Sequence, residues 1–301
     1  MKIIEINGLT KQYGEFKAVN NLSFDVENGE MIGFLGVNGA GKSTTINMLS
    51  TILKQDEGNV LIDGFVLGKD DRKIRETIGV VYQQNVLDER LSVKENLLIR
   101  AALAGVKKEK LESRLNEIGE LLELSSILGK RYKVLSGGQK RRCEIAAALI
   151  HAPKILFLDE PTTGLDPATR IEVWDAIKSL RDDKNMTVFL TTHYMEEAAA
   201  ADKIVIIDKG VKMAEGTPFE LKQKYTRDKL KIYFEKEEEV KVLQSIAGCD
   251  FDIQPYGAEI AIKDSFESIE IVDRIRPIIS GFEVIAGNMD DVFINVTKES
   301  K

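Results

Sequence analysis

The nine residues GVNGAGKST, Gly36 to Thr44, fit the spacing G-x-x-x-x-G-K-[ST] completely. Gly36, Gly39 and Gly41, with Val37, Asn38 and Ala40 between them, let main-chain N–H groups close around phosphate oxygens without side-chain interference. Lys42 supplies a positive charge for β- and γ-phosphates, and Ser43, followed by Thr44, offers a hydroxyl to Mg²⁺. Far downstream, KILFLDE places Asp159 and Glu160 at the end of an apolar run. Alone, two carboxylates after a strand describe a solvated strand end. Beside a phosphate loop they describe a metal-holding aspartate and a glutamate able to polarise an attacking water.

A second anion site is written at LSGGQ. Ser136, Gly137, Gly138 and Gln139 stand at the start of a helical stretch, where unpaired N–H groups and a partial positive charge gather. The chain therefore carries two phosphate-binding halves that need not serve the same nucleotide. Three further residues are ambiguous by themselves. His193 closes the run MTVFLTTH, Gln83 follows IGVVY, and Tyr13 lies in LTKQYGEF. Each fits a structural role as well as a role in orienting water, contacting phosphate or Mg²⁺, or stacking on a base. His151, in LIHAPK, is read as structural.

These residues need elements to position them. LSFDVENGEMIGFLG alternates at Leu22, Phe24 and Val26, turns at Asn28-Gly29 and runs apolar into the glycine loop, which predicts strands. TTINMLSTILK then shows a helical stripe at Ile46, Leu49, Ile52 and Leu53. Strand, glycine loop, helix is the context a phosphate loop requires. A charged helical region runs from about Val93 to Leu128 and ends just before LSGGQ. KILFLDE, MTVFLTTH and DKIVIID read as short strands between helices, which predicts a mainly parallel sheet. Beyond Lys222–Asp228 the composition shifts. The remaining segments, among them EEEVKVLQSIA, suggest the order β-α-β-β-α-β of a small ferredoxin-like α+β unit.

Bulk properties bound the reading. The chain has 301 residues, 43% hydrophobic and 30% charged, with a net charge of −7. No apolar run approaches the roughly 18 residues that span a bilayer, and the N-terminus lacks the apolar core of a signal peptide. The chain is therefore expected in the cytosol. The acidic balance argues against a broad nucleic-acid face, and the cluster Lys140–Arg142 reads as a solvated or partner-facing turn. Cys143 and Cys249 stand in no metal-like spacing and read as reduced, buried thiols.

Taken in order, GVNGAGKST, VYQQ, LSGGQ, ILFLDEP, GLDP and TTH resemble the nucleotide-binding subunit of ATP-binding cassette (ABC) transporters over residues 1 to about 220. The resemblance implies an α/β phosphate-loop domain over residues 1–222, with a helical subdomain at about 84–134, and an accessory domain over 223–301. It implies ATP and Mg²⁺ as ligands. It also assigns roles: Tyr13 stacks on adenine, Gln83 senses Mg²⁺ and couples to a membrane subunit, Asp159 holds Mg²⁺, Glu160 is the catalytic base and His193 contacts γ-phosphate. Asp166, in GLDP, lies in the loop that crosses to a partner. Two such domains pack head to tail in this family, so LSGGQ of one closes over ATP held by the other. One cassette is present here, so the implied partner is a second copy or a related chain. The other implied partner is an integral membrane permease at the cytoplasmic face, received by a groove of the helical subdomain.

MEEAAAADKIVIIDKGVKMAEGTPFELK and NMDDVFINVT look like drug-resistance-type bacterial exporter ATPases. An importer subunit differs in transport direction. A non-transport relative acting on DNA or ribosomes would bring a second cassette, a coiled-coil insertion or a basic arm, and none is visible. No nucleic-acid partner is expected.

Overall fold

The computed structural model describes residues 1–234, 252–254, 257–263 and 265–298. It divides into two compact units, Met1–Glu215 and Gly216–Lys301.

The first unit holds two sheets. The strands β1 (Lys2–Tyr13), β2 (Phe16–Glu27), β4 (Glu57–Ile62) and β5 (Phe65–Val66) form an antiparallel sheet in the order β2-β1-β4-β5. The second sheet takes β3 (Met31–Leu35), β6 (Ile78–Val81), β7 (Ile155–Asp159), β8 (Thr187–Thr192), β9 (Lys203–Asp208) and β10 (Val211–Gly216) in the order β10-β9-β3-β8-β7-β6. Its strands from β9 to β6 run parallel. Every residue of β3, β7 and β8 is buried, as expected for parallel strands covered on both faces. Phe24 of β2 meets Phe34 of β3 at 5.6 Å between ring centroids, and Phe34 and Phe157 each lie 5.4 Å from Phe189. This aromatic file packs one sheet on the other and fixes the strand ends that carry the polar residues.

The helices are α1 (Lys42–Leu49), α2 (Asp71–Thr77), α3 (Val93–Leu103), α4 (Lys108–Leu121), α5 (Gly137–Leu149), α6 (Pro167–Lys184) and α7 (Met195–Ala198). Helices α3 and α4 pack on α5. Ser92 starts α3 with a reciprocal cap, accepting from Glu95 N while Glu95 accepts from Ser92 N. The expected stripe after the glycine loop is shorter than its periodicity suggests. Helix α1 stops at Leu49, Thr51 takes a left-handed φ of 65°, and Ile52 is left 62% exposed.

The second unit contains α8 (Pro218–Tyr225), β11 (Asp228–Tyr233), β12 (Asp252–Gln254), β13 (Gly257–Ile262), α9 (Ser265–Ile275), β14 (Gly281–Ile285) and α10 (Met289–Lys298). Its antiparallel sheet has the order β12-β13-β11-β14, and Ile271 and Ile275 of α9 join Leu230, Ile232 and Ile260 in its core. The expected boundary at 222/223 falls inside α8, whose Tyr225 carbonyl accepts from Asn295 of α10 at 2.7 Å. The expected helix at EEEVKVLQSIA, and Cys249, lie outside the described residues. Cys143 is buried, and burial pushes its thiol up to about 12.

Candidate functional site: a phosphate loop facing two strand-end carboxylates

The glycine loop follows β3 directly and folds back on its own lysine. Lys42 Nζ donates to the Gly36 carbonyl at 2.8 Å and the Val37 carbonyl at 3.2 Å. Gly41 caps α1 at φ 107°, and a Cβ there would lie 2.5 Å from the Ala18 carbonyl, so backbone conformation and space both demand glycine. Having no side chain, Gly41 leaves the first-turn N–H groups of α1 available to an anion.

Neighbouring strand ends supply the carboxylates. Asp159 closes β7, and its Oδ1 accepts from Thr191 Oγ1 at 2.6 Å and Ser43 Oγ at 3.3 Å. Glu160 follows in a left-handed conformation (φ 46°), held by Glu160 N donating to Thr191 O at 3.2 Å and Oγ1 at 3.1 Å. Its Oε1 lies 3.3 Å from Lys42 Nζ. Its Oε2 accepts from Gln83 Nε2 at 3.1 Å and Thr163 Oγ1 at 3.0 Å. His193 Nδ1 is 3.3 Å from the same oxygen but off the hydrogen-bonding direction, and the buried Nδ1 has no hydrogen-bond partner among the described residues. Burial raises the Glu160 carboxyl. The charge of Lys42, the Thr163 hydroxyl and His193 outweigh that and hold it below the usual range.

These residues open on a cleft of about 460 Å³ lined by Tyr13, Phe16, Ala18, Asn38, Gly39, Gly41, Lys42, Ser43, Thr44, Gln83 and Glu160. Tyr13 and Phe16 face each other across the β1–β2 hairpin, 52% and 62% exposed. The residues Ser136, Gly137, Gly138, Gln139 and Asp166 are not part of this lining. Ser136 caps α5, its Oγ accepting from Gln139 N at 3.3 Å while Gln139 Oε1 accepts from Ser136 N at 3.2 Å. Ser136 thus caps the helix through an oxygen lone pair, and its hydroxyl proton is a separate donor. Asp166 likewise caps α6, accepting from Thr169 N at 3.1 Å.

For a divalent ion the donors are hard oxygens: Ser43 Oγ and Asp159 Oδ1 adjacent, with Gln83 on the same cleft. Among the described residues no group of three or more His, Cys, Asp or Glu could hold a metal by itself. That combination suits Mg²⁺, which binds through one or two protein oxygens together with substrate phosphates.

The structure corrects one sequence expectation and adds residues to the site. Lys140–Arg142 is not a solvated turn. Arg141 is 4% exposed and bonded to three main-chain carbonyls, while Lys140 pairs with Glu89 and Arg142 with Glu123 and Glu172. Phe16, Thr163 and Thr191 are the added residues. Thr191 lies in the buried run TVFLTT, and only the pairing of β7 with β8 sets it against Asp159. Phe16 was legible only through the hairpin that sets it opposite Tyr13. His151 Nε2 lies 3.0 Å from the Ile78 carbonyl.

Comparison with known proteins agrees with the geometry. Residues 19–163 match the family model described as ABC transporter. The daunorubicin resistance ATP-binding protein DrrA3 of Streptomyces coeruleorubidus is 34% identical over 99% of this chain and 96% of its own length. The doxorubicin resistance ATP-binding protein DrrA of Mycobacterium tuberculosis is 41% identical over 73% of this chain and 67% of its own. Among solved structures, the ATP-binding cassette MJ0796, in a post-hydrolysis dimer bound to ADP and Pi, matches with a TM-score of 0.64. That match has 29% identity and covers 71% of this chain and 98% of the other.

Proposed function

Because the chain belongs to the ABC transporter family, whose cassettes bind and hydrolyse ATP, we propose that it powers export through a separately encoded integral membrane permease. The observation that carries the reading is the division of its phosphate-binding groups. Lys42, Ser43 and Glu160 line one cleft, with Asp159 bonded to Ser43 beside it, and the capped start of α5 at Ser136 lies outside it. Two copies related by a two-fold axis complete each other's site, Ser136 and Gly138 of one facing the phosphate loop of the other. The dimeric form of MJ0796 supports that assembly.

In this reading Tyr13 stacks on adenine. Lys42 and the loop amides from Gly36 to Thr44 hold the phosphates, and Ser43, Gln83 and Asp159 hold Mg²⁺. When bound, Mg²⁺ neutralises developing phosphate charge. Glu160 accepts a proton from the attacking water, Gln83 orients that carboxylate, and His193, beside Glu160, contacts γ-phosphate. The resistance proteins among the relatives support export. Among the described residues no helix is long and apolar enough to cross a membrane. We read the second unit as a ferredoxin-like accessory domain, supported by its strand order.

The test is to trap tagged Glu160→Gln with MgATP in cells of the source organism and identify what copurifies from detergent extract. Recovery of a multi-spanning membrane protein is expected. Recovery of ribosomes or DNA without one would overturn the transport reading.

A further inference from the structure

Helix α5 carries two buried ionic side chains that the chemistry above does not use. Glu144, 3% exposed, takes the amides of Val86 and Leu87 on Oε1 at 2.9 and 3.1 Å and the Tyr132 hydroxyl at 2.8 Å. Arg141, one turn nearer the signature, donates from Nε to Pro161 O at 2.6 Å, from Nη2 to Asp159 O at 3.2 Å and from Nη1 to Tyr82 O at 2.5 Å. The carbonyls have a pattern. Two bracket Glu160 and the third immediately precedes Gln83. Glu160 and Gln83 are the pair joined by the 3.1 Å hydrogen bond.

From this arrangement we infer that Arg141 is a positioning residue for ATP hydrolysis, fixing the main chain on both sides of Glu160 and ahead of Gln83. A guanidinium suits this task because its donors form a rigid planar fork. Glu160 needs the support, since its left-handed φ of 46° is a conformation that surrounding bonds must hold in place. Burial lowers the guanidinium to about 10, so it remains charged at neutral pH and gives charge-assisted bonds. Arg141 lies four residues beyond Gly137, so the segment bearing LSGGQ and the segment bearing the catalytic carboxylate share one rigid link. The inference rests on the proposed role of Glu160 as base.

The experiment compares Arg141→Lys and Arg141→Gln with the unmodified full chain. It measures MgATP bound per chain, KM, kcat and melting temperature. Arg114→Gln is the structural control, because Arg114 donates to Leu149 O and Ile150 O at the opposite end of the same helix. Both Arg141 variants are expected to bind MgATP with unchanged stoichiometry and KM within about 3-fold, while kcat per bound nucleotide falls roughly 10- to 100-fold, the scale of an ångström-level misplacement. Arg141→Lys, which keeps the charge but not the fork, is expected to retain more activity than Arg141→Gln. Arg114→Gln is expected to lower the melting temperature with kcat per bound nucleotide unchanged. Arg141→Lys was chosen to stay folded if the glutamine variant does not. A kcat per bound nucleotide within about 2-fold of the unmodified chain in Arg141→Lys, or a fall equal to that of Arg114→Gln, would overturn the inference. If the unmodified chain hydrolyses no ATP, the proposed function fails instead.

Discussion

Glu160 sits where three influences meet: the positive charge of Lys42, two neutral donors and the ring of His193. Its carboxyl is held below the ordinary value, so the ionised form is favoured in the folded chain. A depressed folded-state value contributes stability above the ordinary glutamate range and loses it as pH falls through the folded value. Glu160→Gln removes that dependence. The melting-temperature advantage of the parent over Glu160→Gln is therefore expected to hold at neutral pH and to shrink as pH falls below about 4.5 in a calorimetric series, and an advantage that grew there would contradict the assignment. The same variant is expected to bind MgATP but to hydrolyse it at least about 100-fold more slowly, the scale of losing a general base, measured by phosphate release. The carboxylates and Lys42 were legible because each belongs to a short contiguous motif. Thr191 and Thr163 were not, since their contacts with Asp159 and Glu160 arise only when β7 and β8 pair and the chain turns after Glu160.

At the scale of elements, the site depends on β3, β7 and β8 ending together. The buried phenylalanines set those strands, and the loops that leave them carry the polar groups. Gly41→Ala tests the most constrained of these loops. Alanine would have to hold φ 107° with its Cβ against the Ala18 carbonyl, so the loop is expected to shift, at about 1–3 kcal/mol of stability. Nucleotide affinity is expected to fall with it, read by titration with a fluorescent ATP analogue; unchanged affinity would show that the loop geometry is not what holds phosphate. In α3, Ile99 and Leu103 are exposed one turn apart, 47% and 77%. Arginine at either position is expected to abolish permease copurification while leaving basal ATP hydrolysis within about 2-fold, because surface substitutions away from caps and cores are mild. The early end of α1 and the buried Arg141 were hidden for a shared reason. Periodicity reports which residues are apolar, whereas both features come from what the neighbouring loops require. Thr51 reverses the chain after α1, and the carbonyls around Glu160 draw a guanidinium inward.

The whole molecule is two compact units whose first contains every nucleotide-binding motif. The alternation of strands and helices was legible because parallel strands are uniformly apolar and cassette motifs mark their ends. The boundary was less so, because α8 has a clear cap at Thr217 and nothing in its sequence says which unit it packs in. The head-to-tail assembly is the claim on which the account stands, since one chain's cleft lacks Ser136 and Gly138. The most direct measurement is the mass of purified Glu160→Gln by light scattering, without nucleotide and then with saturating MgATP. A shift from the monomer mass of 33.6 kDa to twice that value is expected, abolished by Gly138→Asp, whose negative charge would face the γ-phosphate of the other copy. A mass that stays at the monomer value in saturating MgATP would contradict a composite site built from two copies of this chain.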